Sequence, residues 1–165
     1  MDARDACAAL DALEAAGIRV VVNGGWGVDA LLDEQTRLHD DLDVHVPIDE
    51  LGHVCAALAE LGYNECLVRD GRLENFVLRA AGDRRVDLHA VRFDRTGGGV
   101  YRMSDGTDWI WPPGSFSGTG SIGGRTVECL SFEGQLLEHT GYELDDTDRL
   151  DVSRLRERFG ADTTE

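Results

Sequence analysis

Thr36-Arg37-Leu38-His39-Asp40-Asp41-Leu42-Asp43-Val44-His45-Val46-Pro47 is the stretch on which the fold turns. From Asp41 onward, polar and apolar residues alternate, and Pro47 closes the run. That is a β-strand pattern, in which every second side chain shares a face. Leu42, Val44 and Val46 can pack into a core while Asp41, Asp43 and His45 face a cleft. Carboxylates this close repel one another unless a cation lies between them or one is protonated. Mg²⁺ answers that need, because it prefers carboxylate and phosphate oxygens. Two such ions about 3.5–4 Å apart can stabilise both the attacking and the leaving oxygen of a transferred phosphoryl group. An isolated Asp-x-Asp is more often a solvated strand edge, so the neighbours decide.

Working outward, Asn23-Gly24-Gly25-Trp26-Gly27-Val28-Asp29 precedes the run. Gly24-Gly25 lets backbone approach a phosphate, and a helix start just after it offers free N–H groups. Arg37 can grip a phosphate oxygen in bidentate fashion, or form a surface ion pair. His39 either braces the loop or touches a nucleotide. Downstream, Arg85-Val86-Asp87-Leu88-His89-Ala90-Val91 repeats the alternation. Val86, Leu88 and Ala90 take the core side, leaving Asp87 and His89 for the cleft. Asp87 is the third acid such a site wants, either to take a proton from an attacking hydroxyl or to bridge a second metal.

Around these motifs the chain reads as helix (5–16), strand (19–22), short helix (26–32), strand (41–46), and helix (48–61). Strands at 63–68, 76–79, 85–93 and 125–130 follow, then helices from Phe132 towards His139 and over 148–159. Ser131 is a cap candidate, as are Asp145, Asp146 and Thr147. Residues 94–124 read as loop, punctuated by Gly97-Gly98-Gly99 and Pro112-Pro113-Gly114. Trp109, Trp111 and Phe116 in that loop either pack it on the sheet or wall a ligand site. The class is α/β (α+β), an α/β sandwich with a mixed sheet flanked by helices. With 165 residues, one domain (1–165) is expected, of which 131–165 forms a C-terminal helical segment.

Sixteen arginines and no lysine stand against 32 acids, a net charge of −16. Such a surface repels nucleic acid and attracts a cationic small molecule, although acidity also serves solubility. No apolar run approaches the roughly 18 residues of a membrane span. Neither is there a basic, apolar leader at Met1, so the expectation is a cytoplasmic protein. Cys7, Cys55, Cys66 and Cys129 show no CxxC spacing; Cys7, Cys55 and Cys129 read as reduced core thiols.

Taken together, Asn23 to Leu32, Thr36 to Asp43 and Val86-Asp87-Leu88-His89 resemble the signature of small antibiotic nucleotidyltransferases. Gly124 to Cys129, His139-Thr140-Gly141-Tyr142-Glu143-Leu144 and Asp148-Arg149-Leu150-Asp151 extend the likeness. It is nearest to the lincosamide nucleotidyltransferases, then to the aminoglycoside 2''-nucleotidyltransferases. The resemblance implies the nucleotidyltransferase fold of the polymerase-β type. It also implies transfer of a nucleoside monophosphate, usually AMP from ATP but open to another NTP, to a drug hydroxyl with Mg²⁺, two ions being expected. Asp41, Asp43 and Asp87 match the metal-binding and catalytic acids, Gly24 and Gly25 the phosphate turn, and Arg37 a phosphate contact. Where relatives carry a lysine before the aspartate that opens the last helix, this chain has Thr147. That departure keeps open an inactive binder of small molecules on the same fold. A nucleotidyltransferase toxin is the third reading, disfavoured for tRNA by the acidic surface. The acceptor expected is a cationic or hydroxylated small molecule, and two small subunits could complete one cleft as a homodimer.

Overall fold

The computed structural model describes residues 1–68, 75–103 and 105–160. Helix α1 spans Ala3–Ala15, capped by Asp2, whose side chain accepts from the Arg4 and Asp5 amides. The short strand β1 (Val21–Val22) leads into α2 (Gly24–Leu32), and β2 covers Leu42–Pro47. A 3₁₀ turn at Ile48–Glu50 runs into α3 (Leu51–Ala59). Strands β3 (Glu65–Val68), β4 (Asn75–Ala80) and β5 (Arg84–Phe93) follow. The chain continues through β6 (Gly99–Arg102), β7 (Asp108–Trp111), β8 (Gly118–Ile122) and β9 (Arg125–Cys129) to α4 (Phe132–Glu138) and α5 (Asp146–Phe159).

The mixed sheet runs β3-β4-β5-β2-β1-β9-β8, with the β6–β7 hairpin attached to the far end of β5. At its centre β2 and β5 are parallel, with Asp43 opposite Asp87 and His45 opposite His89. Leu42, Val44, Val46, Val86 and Leu88 are completely buried against Leu10 and Leu13 of α1 and Val54 and Leu58 of α3. Each such side chain contributes about 1.5–3 kcal/mol of transfer free energy, so the register of the central pair is fixed by its apolar face. A slip of one residue would turn every carboxylate into that core. The opposite face holds a smaller cluster of Val21, Val91, Tyr101, Trp111, Phe116 and Leu130.

Several segments differ from expectation. Residues 94–124 are not mainly loop, since they carry β6, β7 and β8. The strand expected over 19–22 pairs only at Val21 and Val22, between β2 and β9. Gly24 and Gly25 do not precede α2 but form its first turn. Ser131 does cap α4, accepting from the Gly134 amide. Asp145 caps α5 in a reciprocal box with Asp148, so that helix begins two residues earlier than the pattern suggests.

Candidate active site

Asp43 and Asp87 project side by side from the centre of the sheet. Together with His89 they offer three ligand atoms within 4.8 Å of one another. Asp87 is almost fully buried, at 3% exposure, whereas the Asp43 side chain keeps 25% of its surface. Nε2 of His89 lies 3.7 Å from Asp43 and 3.8 Å from Asp87. Burial pushes that imidazole down, but the nearby carboxylates of Asp43, Asp87 and Glu138 outweigh it and bring its pKa up to about 9. His45, buried behind it, is held well below the usual histidine range by burial and then by the His89 charge. Asp41 sits at the bend that opens β2, half-buried.

The start of α2 is pinned to this centre, since the Asn23 amide donates to the Asp43 carbonyl at 3.0 Å. Gly24 has φ +56°, and a Cβ there would lie 2.3 Å from Oδ2 of Asp43. Only glycine both accepts that backbone and leaves the carboxylate its place. At Gly25 a Cβ would meet Nη2 of Arg37 at 2.3 Å and Nδ1 of His39 at 2.5 Å. The Arg37 guanidinium therefore rests on the first turn of α2, held by a 3.0 Å ion pair with buried Asp151 of α5. His39 braces: it pairs with buried Asp29 at 2.5 Å and stacks on Trp26 with ring centroids 4.3 Å apart. Two carboxylates on adjacent strands, one of them open to solvent, beside a glycine helix start on which the Arg37 guanidinium rests, suit a divalent ion carrying a polyphosphate.

Next to the carboxylates lies a cavity of about 280 Å³. Its walls include His45, Tyr101, Trp109, Trp111, Glu138 and Tyr142. Phe116 instead packs in the smaller cluster, so the aromatic residues of this region divide between core and cavity. Glu138 carried no signal in the sequence reading, and Tyr142 entered it only through the family likeness of residues 139–144. Burial pushes the Glu138 carboxyl above its ordinary range, and the neighbouring His89 charge partly offsets this. Burial, followed by Asp148, brings the Tyr142 phenol up to about 12.

A central strand pair bearing acids, a helix start at their side and a flanking aromatic cavity define a nucleotidyltransferase. The lincosamide antibiotic adenylyltransferase LnuA, solved with lincomycin bound, superposes with a TM-score of 0.76 at 28% identity, over 89% of this chain and 91% of that one. The fold of ANT(2'')-Ia matches as well, with a TM-score of 0.74 over 98% of this chain and 87% of that one at 22% identity. The chain belongs to the aminoglycoside-2''-adenylyltransferase family, whose family model matches residues 6–155. A lincosamide resistance protein of Staphylococcus haemolyticus is 30% identical over 89% of each chain. A 2''-aminoglycoside nucleotidyltransferase of Escherichia coli is 28% identical over 73% of this chain and 63% of its own.

Proposed function

We propose that this protein transfers AMP from ATP to a hydroxyl of a small antibiotic of the lincosamide or aminoglycoside type. The observation that carries the reading is the juxtaposition of Asp43 and Asp87 in one register of β2 and β5, with Asp43 partly exposed beside Gly24. The relatives named above support the acceptor class. In this reading Asp41, Asp43 and Asp87 hold two Mg²⁺ ions, and Gly24, Gly25 and Arg37 receive the triphosphate. When bound, the ions neutralise the phosphate charge and polarise the α-phosphate. Asp87, buried next to His89 of the cavity wall, takes the proton of the acceptor hydroxyl as its oxygen attacks the α-phosphorus in line with the leaving pyrophosphate. The aromatic walls position the acceptor and exclude water from the reacting atoms.

The protein works in the cytoplasm, where ATP is available; its four cysteines are all free thiols, which agrees with a reducing compartment. Among the described residues no helix is long and apolar enough to cross a membrane. The test is pyrophosphate release from ATP and Mg²⁺ in the presence of lincomycin, and separately of tobramycin. Release with at least one acceptor, lost in Asp43→Ala, is the expected result. Release no faster than that of Asp43→Ala, with every acceptor and all four NTPs, would overturn the proposal.

A further inference from the structure

The cavity beside the carboxylates combines aromatic rings with a few buried polar groups, His89 and Glu138 among them. Glu138, at the last turn of α4, supplies the one carboxylate among the cavity's described lining residues. Its Oε2 is buried and has no hydrogen-bond partner. The indole N–H groups of Trp109 and Trp111, across the cavity, are also buried and unpartnered. Trp109 and Trp111 lie on one face of β7, their rings 6.3 Å apart and steeply tilted, with Tyr101 opposite Trp109 on β6. The remaining wall is mixed: Trp111 meets the buried ring of His45 edge-on at 5.2 Å, and Asn75, His89, Met103 and Thr140 complete the lining. Buried polar groups normally find partners, so the unpartnered atoms of this lining (Glu138 Oε2, the two indole N–H groups, Asn75 Oδ1, His45 Nδ1 and His89 Nε2) mark where a polar occupant would be met. The occupant presents a cationic donor to Glu138, acceptor oxygens to the indoles and an apolar body to the rings.

From this we infer that Glu138, together with Trp109 and Trp111, is the specificity-determining set for the acceptor and selects an amphiphilic monocation over a polycation. With Glu138 the one carboxylate among the described lining residues, a molecule with several ammonium groups would leave the others without an anionic partner there, at a desolvation cost. The inference rests on the transferase reading for its biological meaning, but its test does not.

The test is quenching of indole fluorescence by lincomycin (a monocationic amphiphile) and by tobramycin (a polycation), without metal or nucleotide, at physiological salt. Wild type should bind lincomycin at least about tenfold more tightly than tobramycin. Glu138→Gln should weaken lincomycin roughly 10- to 100-fold, the range expected for a lost charge-assisted hydrogen bond. Its thermal midpoint and its affinity for ATP with Mg²⁺ should stay near wild type. In turnover, the acceptor KM should rise while kcat stays within a few-fold. If Glu138→Gln folds poorly, Trp109→Leu on the hairpin provides the same comparison, with a several-fold loss expected. Unchanged lincomycin affinity in the variants, equal affinity for the two probes, or no saturable quenching would overturn the inference. So would a fall in kcat at constant KM, since that would mark Glu138 as a proton carrier. Binding as expected without any transfer would refute the proposed activity and leave the subsite standing; transfer with unaltered Glu138→Gln affinity would do the reverse.

Discussion

The two sides of the cleft are built by opposite means. On one side, β2 and β5 hold Asp43, Asp87 and His89 on a frame whose reverse is locked into the main core by Leu42, Val44, Val86 and Leu88. On the other, the β6–β7 hairpin joins the sheet through two residue pairs of β5 and turns Ile110 to solvent at 61% exposure. Chemistry demands fixed oxygen positions, and parallel strands buried on one face supply them. Acceptor choice demands a surface that can change without disturbing that frame, and a peripheral hairpin supplies it.

The contrast can be broken at several points. The largest expected effect is on transfer: Asp87→Asn should lower kcat by about 10²–10³-fold or more, in the range for loss of a group acting in the transition state, while lincomycin binding stays within a few-fold. Steady-state kinetics beside fluorescence titration reads both. Trp109→Ala should show the converse, with a raised acceptor KM and nearly unchanged kcat. Stability divides the same way. Leu88→Ala in the buried frame should cost about 2–5 kcal/mol in urea denaturation, and Ile110→Ala on the hairpin within about 0.5 kcal/mol. Similar losses at the two positions would refute the division of labour.

A smaller effect concerns pH. The folded-state pKa of His89, about 9, lies above its ordinary value of 6.5. Its contribution to stability is therefore complete below pH 6.5 and is lost as pH rises through 9. The metal-free protein should show a thermal midpoint that falls across that window, and His89→Gln should flatten the fall. Smallest of all is a difference between thiols. Burial, with the Glu128 charge, pushes Cys129 up to about 12, whereas Cys66 is exposed. Iodoacetamide at pH 8 should label Cys66 and spare Cys129, as peptide mass mapping would show.

The same contrast explains what the sequence disclosed. β2 and β5 were legible because one face of each is dry, which forces strict alternation in the residues themselves. The hairpin was not, because its turns and glycines dominate a short stretch. Yet Asp108-Trp109-Ile110-Trp111 after Asp105-Gly106 does carry a period of two. Strand β8 was hidden for a different reason. A Cβ at Gly120 would lie 2.0 Å from the Ala30 carbonyl, so this strand carries glycine where it lies against α2, and the repeated glycines read as loop. The Arg37 partner, Asp151, lies 114 residues away and follows no local rule. Glu138 stands in no motif of its own; only the folded chain brings it to the cavity.

Binding of a divalent ion tests the central claim most directly. Mn²⁺, a paramagnetic stand-in for Mg²⁺, can be titrated into wild type, Asp43→Asn and Asp87→Asn with a non-hydrolysable ATP analogue present, and followed by electron paramagnetic resonance. The account predicts that wild type depletes the free-ion signal at micromolar protein and that each variant does so at least about tenfold more weakly, since each removes a charged ligand oxygen. Undiminished binding in both variants would show that these two strands do not gather the metal.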